Sequence, residues 1–317
     1  AFGMTHTPGL GNLMHLPPHD QVDRIVAGYD IVRKEIEEAK PDVIVAFVND
    51  HVDMYTLYNM PAFSIAVGDT HWGPTPESEK WIQMSRAPIP GNPDVANALH
   101  RSLMEDGFEL YRSGSAELVH NVLMPKKFLW PDIDIPVVPI FTNCFFEPLP
   151  TFRRAYELGK AVRKAIDRRP ERVALMASGG LAHWPPIVLD DENDPLFPEV
   201  TEWHVLGRKI WDKNPGLPMA MAKRELEMAQ SGFNYFNVPW DKEFLANLAK
   251  PDVDALLKTD HAEIQKAAGH GASEMLLWTS LVGAMNGAPA DILMYEAVTA
   301  FSGSVSIMSY GNSIAGA

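Results

Sequence analysis

Two kinds of apolar pattern alternate along the chain: short unbroken runs, and longer stretches with an apolar residue every three or four positions. Val43–Val48 is the clearest unbroken run, rich in β-branched residues, with Pro41 before it and Asn49-Asp50 after. A central strand buried on both faces reads this way. Residues 63–68, 135–143 and 172–180 read as further strands, and Phe2-Gly3-Met4 as the end of a first one. Residues 108–111, 292–297 and 304–310 are predicted strands as well. Helical spacing covers residues 17–40, where Val22, Ile25, Val26, Tyr29, Val32 and Ile36 share a face, and residues 94–106 and 150–168. Residues 201–230 predict helical pieces broken by Pro215 and Pro218. Short helices are expected from Asp241 and Pro251, and a helical region over 263–285 with a break at Gly269-His270-Gly271. Residues 69–90, polar with Trp72, Trp81 and several prolines, predict a long ordered loop of the kind that walls active sites. Residues 190–198 predict an acidic loop. With no internal repeat and no low-complexity linker, the simplest organisation is one α/β domain over residues 1–317.

Three of these runs end alike. FGMTH reaches His6, IVAFVNDH reaches His51, and VALMASGGLAH reaches His183. In open α/β sheets the ends of central strands carry ligands and catalytic groups, and a parallel sheet would bring such ends to one edge. A turn at Asn49-Asp50 with His51 as a cap accounts equally well for the middle stretch taken alone. Glu274 differs in kind: it stands at the start of a strongly apolar helix, the only acid between His270 and Met285. It can complement that helix N-terminus, or it can be the single carboxylate of a metal site. Two histidines plus one carboxylate with open positions describe the non-heme Fe(II) oxygenase site.

Composition narrows the field. The chain has 317 residues, 46% hydrophobic and 21% charged, as a globular core-former should. A net charge of −14 argues against nucleic acid and anionic membranes as partners. The single cysteine, Cys144, permits no intramolecular disulfide and no multi-cysteine zinc site, and reads as a buried core thiol. No apolar run approaches the ~20 residues of a membrane span, and no charged-then-apolar leader opens the sequence. The expectation is a cytoplasmic protein.

His6-Thr7-Pro8, Asn49-Asp50-His51, the stretch from Ser178 to His183 (SGGLAH) and that from Gly271 to Trp278 (GASEMLLW) resemble class III extradiol ring-cleavage dioxygenases. The likeness is to the catalytic β subunit of protocatechuate 4,5-dioxygenase and to gallate dioxygenase, and it runs in the family's order from residue 6 to about residue 285. The resemblance implies a central mixed β-sheet with helices on both sides. It implies that His6, His51 and Glu274 bind Fe(II), that His183 is the catalytic acid/base, and that His120 contacts substrate or oxygen. The context Leu118-Val119-His120-Asn121 departs from the family's usual Asp-His-Gly. The implied reaction is extradiol cleavage of a catecholic aromatic acid by dioxygen, with both oxygen atoms incorporated. Aminophenols and hydroxylated pyridines are alternative substrates. A zinc hydrolase on the same ligands and a non-enzymatic protein resembling the Memo family are the competing functions. No small α-subunit domain is recognisable at the C-terminal side, so a homo-oligomer is expected, or pairing with a separate small subunit. His71 is expected in the pocket wall or as a structural residue, and His270 as structural. His15, His19, His100, His204 and His261 are expected in loops, caps or helix faces.

Overall fold

In a computed structural model, which describes residues 1–189, 191–230 and 236–311, ten strands form two sheets. The strands are β1 (Phe2–Met4), β2 (Val43–Val48), β3 (Phe63–Ala66), β4 (Thr70–Gly73), β5 (Ala87–Pro90), β6 (Tyr111–Ser113), β7 (Val137–Thr142), β8 (Val173–Ser178), β9 (Asp291–Val298) and β10 (Gly303–Ser309). Eight of them make one sheet in the order β6-β3-β7-β2-β8-β1-β10-β9, and β4 pairs with β5 apart from it. The four central strands β7, β2, β8 and β1 are parallel, and β10, β9 and β3 add antiparallel pairs, so the sheet is mixed.

β2 shows why its sequence is an unbroken apolar run. Val43, Val45 and Phe47 enter one core, with the helices Phe152–Ile166 and Met275–Ala284. Ile44, Ala46 and Val48 enter the other, with the helices His19–Ala39 and His120–Leu129. Side chains alternate faces along a strand, and here both faces are covered, so no position is left for a polar residue. The helix Met275–Ala284 is itself buried on every side, which explains its nearly featureless apolar sequence.

The expected elements are present with shifted ends, and four expectations are corrected. Residues 108–110 are irregular, and the edge strand is Tyr111–Ser113. Residues 69–90 are not a loop: β4 and β5 form a hairpin around a helical turn, Glu79–Ile82. Pro218 does not break a helix but sits second in the helix Leu217–Gln230, where its missing N–H is not needed. Phe197 and Pro198 open the helix Phe197–Leu206 rather than closing an acidic loop; Asp190, the first residue of that predicted loop, lies outside the described residues. Cys144 is buried as expected, and burial raises its thiol well above the ordinary range. Among the described residues no helix is long and apolar enough to cross a membrane.

Candidate active site

The parallel strands β1, β8 and β2 lie side by side, so their C-terminal ends share one edge of the sheet. β1 delivers His6. Beyond β2 the chain turns sharply: the Asp50 carboxylate accepts the N–H groups of Met54 and Tyr55 at 3.1 and 3.0 Å, an Asx-type closure. Within that turn Val52 is held at φ +64° although buried. A β-branched residue rarely adopts this conformation, and such strain, of order 1–3 kcal/mol, gathers at functional sites. Val52 is pinned in a small apolar cluster with Phe145, Ile187 and Trp203. Asn49-Asp50 therefore is a turn, as the simpler reading had it, and the turn presents His51 to the cluster.

Glu274 ends the 3₁₀ turn His270–Glu274 and precedes the helix Met275–Ala284, but its side chain makes no cap to that helix. It reaches into the fold instead. Its carboxylate lies 3.3 Å from His6 Nε2 and 3.6 Å from His51 Nε2, fully buried. It accepts from Asn49 Nδ2 at 2.8 Å and from the Gly180 N–H. His120, first residue of the helix His120–Leu129, completes the group with its Nε2 3.2 Å from that of His51. The nitrogen ligand atoms of His6, His51 and His120 all lie within 4.8 Å of one another.

Surrounding groups fix these rings. His6 Nδ1 meets Ser178 Oγ at 3.0 Å, leaving Nε2 toward the cluster. Asn121 donates to the Asn49 carbonyl at 2.7 Å, and Asn49 Nδ2 lies 3.3 Å from His51 Nε2. His51 Nδ1 and His120 Nδ1 find no partner among the described residues. Burial lowers His51, partly opposed by Glu274, and lowers His120 further with the help of His51 and His6. Burial pushes Glu274 up, but the imidazoles of His6 and His51 outweigh it and leave the carboxyl well below its ordinary range. The result is a buried carboxylate beside a converging group of imidazole nitrogens. That donor set fits a divalent metal, with imidazole and carboxylate as the ligand types.

His183 stands beside this cluster, on the loop after β8. Its Nδ1 donates to the Leu181 carbonyl at 2.9 Å, since a carbonyl can only accept, so in the neutral ring the lone pair falls on Nε2. The glycines here serve close approach rather than flexibility. A Cβ on Gly180 would strike the His183 ring and press on Glu274, and one on Gly271 would strike the same ring. Two aromatic rings flank the site: Phe145, from the turn after β7, is 5.5 Å from His51, and Trp81, from the turn inside the hairpin, is 5.1 Å from His120.

The structure thus gathers His6, His51, His120 and Glu274 and sets His183 at their side. His71 is elsewhere, buried under the hairpin with both nitrogens on backbone groups. His204 and His261 bond to the carbonyls of Ile187 and Pro150, and His100 to that of Leu110. Ser178, Asn49, Asn121 and Phe145 were not singled out from the sequence. The first two lie inside the strand-end motifs and were within reach; nothing near Asn121 or Phe145 signals their place.

Residues 1–306 match the family described as the catalytic LigB subunit of aromatic ring-opening dioxygenase. The chain belongs to this family. Among its relatives, enzymes named 2,3-dihydroxyphenylpropionate/2,3-dihydroxicinnamic acid 1,2-dioxygenase are similar over most of their length. The one from Photorhabdus laumondii is 28% identical over 292 residues, covering 89% of this chain and 86% of that one. That from a Rhodococcus species is 27% identical over 294 residues, covering 90% and 88%. A Pseudomonas putida enzyme, the second of that name, is 26% identical over 286 residues, covering 89% and 88%. This LigB-family protein is an extradiol dioxygenase that opens catecholic aromatic rings with dioxygen. The zinc hydrolase and the non-enzymatic alternative fall away with that membership. A metal cofactor accords with both the family and the histidine cluster.

Proposed function

We propose that this dioxygenase is Fe(II)-dependent, holds the metal through His6, His51 and Glu274, uses His183 as its acid/base, and cleaves a catecholic aromatic acid. The observation that carries the proposal is that His6 Nε2 and His51 Nε2 each lie within 3.6 Å of one oxygen of the buried Glu274 carboxylate, at one sheet edge. Held by these residues, Fe(II) would supply Lewis-acid and one-electron chemistry toward a catechol and dioxygen. With one carboxylate and two neutral imidazoles, the loaded site keeps a net positive charge that favours a catecholate. Ser178 and Asn49 orient the ligands, as groups outside a metal's own ligands do.

Proton movement falls to the chain itself. His183 presents an unprotonated Nε2, with Nδ1–H anchored on Leu181, and can take a proton from a catechol hydroxyl and return it later. His120 touches the substrate or oxygen side of the cluster, with Nε2 inward. Phe145 and Trp81 offer apolar faces to the ring. The substrates named for the relatives carry a 2,3-dihydroxyphenyl ring with a three-carbon acid chain, which makes that class the first to test here. Protocatechuate and gallate follow, then aminophenols and hydroxylated pyridines. We also assign the whole chain to one catalytic domain that works as a homo-oligomer, alone or with a separate small subunit.

The test is direct. Protein loaded with Fe(II) anaerobically, then given each substrate and air, should consume dioxygen and form a yellow ring-opened product with catecholic acids. Activity that fades in air should return with Fe(II) and ascorbate. Full activity in metal-free protein, or with Zn²⁺ in place of iron, would overturn the metal assignment. Light scattering on the active species decides the assembly.

A further inference from the structure

We propose that Asp241 is a positioning residue for His183, acting through the backbone of the loop that carries it; this rests on the acid/base reading of His183 above. Asp241 lies in the helix Val238–Ala249, whose N-terminus is capped by Asn237 through the Trp240 N–H. The helix therefore has its cap without Asp241, although the sequence suggested a helix start there. Its side chain points inward instead and is fully buried. One oxygen accepts the Ala182 N–H at 2.8 Å, and the other accepts the Tyr295 hydroxyl at 2.8 Å, from β9. Burial raises this carboxyl, and the Ala182 amide, the Ser304 side chain and the Tyr295 hydroxyl pull it back. A carboxylate buried against an amide and a phenol, with no Lys or Arg hydrogen-bonded to it, is a costly way to fill a core. What that carboxylate secures is the N–H of Ala182, the residue before His183.

The loop's other ties differ in origin. The Gly179 N–H bonds to the Met4 carbonyl and the Gly179 carbonyl to Trp278 Nε1. The Gly180 N–H goes to Glu274, and the His183 carbonyl accepts from the Gly271 N–H. Those ties come from elements that also carry His6 and Glu274, so cutting them disturbs the metal cluster. The Asp241 tie comes from a separate helix, Val238–Ala249, and its carboxylate is hydrogen-bonded to none of His6, His51, His120 or Glu274 among the described residues. Cutting it strands a buried amide, since Ala182 is itself buried, and the loop must shift to satisfy it. A shift of about 1 Å at a catalytic group can cost on the order of 10²-fold in rate.

The experiment compares Asp241→Leu, Asp241→Asn, Tyr295→Phe and His183→Phe as Fe(II)-loaded holoenzymes. Iron content, anaerobic affinity for 2,3-dihydroxyphenylpropionate, turnover and amide exchange at Ala182 and His183 are measured for each. Asp241→Leu should lose about 10²-fold in turnover, keep iron and catechol affinity near wild type, and exchange the Ala182 amide faster. Asp241→Asn keeps an oxygen for Ala182 and should restore most of the lost turnover. Tyr295→Phe frees one carboxylate oxygen and should cost roughly 2–10-fold, one ordinary hydrogen bond. Wild-type turnover in Asp241→Leu, or turnover that falls only in step with iron, overturns the proposal. If Asp241→Leu fails to fold, Tyr295→Phe decides: unchanged turnover with unchanged Ala182 exchange overturns it. Wild-type turnover in His183→Phe overturns the acid/base reading instead. A slow His183→Phe beside a fast Asp241→Leu sinks this inference alone.

Discussion

Two regions of this protein bury histidine, and they do opposite things with it. Under the β4–β5 hairpin, His71 is fully buried; its Nε2–H donates to the Val137 carbonyl at 3.1 Å and its Nδ1 accepts the Ala116 N–H at 3.2 Å. Both nitrogens are used, and the ring pins the hairpin to the main sheet. At the edge of β1, β8 and β2, the rings of His6, His51 and His120 aim ligand atoms at one another, around a buried carboxylate. Burial lowers His71, His51 and His120 alike. Neither burial nor titration separates structure from function here. The destination of the second ring nitrogen does.

The strongest way to break this contrast is Glu274→Ala. Removing the one carboxylate should abolish stoichiometric metal binding and with it ring cleavage, while the fold survives, as read by metal analysis and circular dichroism. Retained Fe(II) at one equivalent would return the cluster to the same class as His71. Next comes His183→Phe, expected to lose ~10²–10⁴-fold in turnover, the range for a general acid/base, with iron and anaerobic catechol binding intact. Loss of iron instead would make His183 a ligand and displace His6 or His51.

Smaller effects sharpen the contrast. Ser178→Ala, which leaves His6 Nδ1 without its partner, should weaken metal affinity by about 10–100-fold, measured by competition with a chelator. His71→Leu should leave metal affinity and turnover alone but destabilise the fold by about 1–3 kcal/mol, because the Ala116 amide is stranded in the core. A drop in metal affinity there would show that the hairpin region serves the site through more than Trp81.

The smallest effect is in pH. His71 has a folded pKa below its unfolded value near 6.5, so it resists protonation in the fold. The unfolded chain then binds more protons, and stability falls as pH drops below about 6.5. In metal-free protein, His51 and His120 add to the same fall. His71→Leu should reduce the protons taken up on acid unfolding by roughly one. Metal should deepen the share of His51 and His120, because a bound cation further disfavours their protonated forms in the fold, and leave that of His71 unchanged. Equal slopes for metal-free and metal-loaded protein would contradict the division between the two regions.

Much of the site was legible because its parts stand at strand ends. β2 had to be apolar throughout to lie between two cores, so the change to Asn49, Asp50 and His51 marks the point where the chain leaves the sheet. The same change marks His6 and His183. The hairpin was illegible, since Thr70–Gly73 and Ala87–Pro90 are short, mostly polar or proline-bearing, and stabilised by pairing with each other across an intervening helical turn. Sequence periodicity reports burial, and a two-stranded ribbon with exposed positions has little of it. Pro218 misled because proline breaks a helix interior but suits a first turn, and which of the two applies depends on where the helix begins.

The sequence alone determined the chemistry available: which histidines end buried strands, that one acid stands before an apolar helix, and which family order these motifs follow. Strand ends and apolar runs are local consequences of burial, and a linear pattern records them. Only the tertiary structure decided what each group faces. It turned Glu274 away from its own helix toward His6 and His51, brought His120 against His51, sent His71 to backbone partners, and set Asp241 under the loop of His183. Those contacts join residues up to 268 positions apart, as between His6 and Glu274. They follow from strand order and from the side of the sheet on which each helix packs, which no local pattern along the chain encodes.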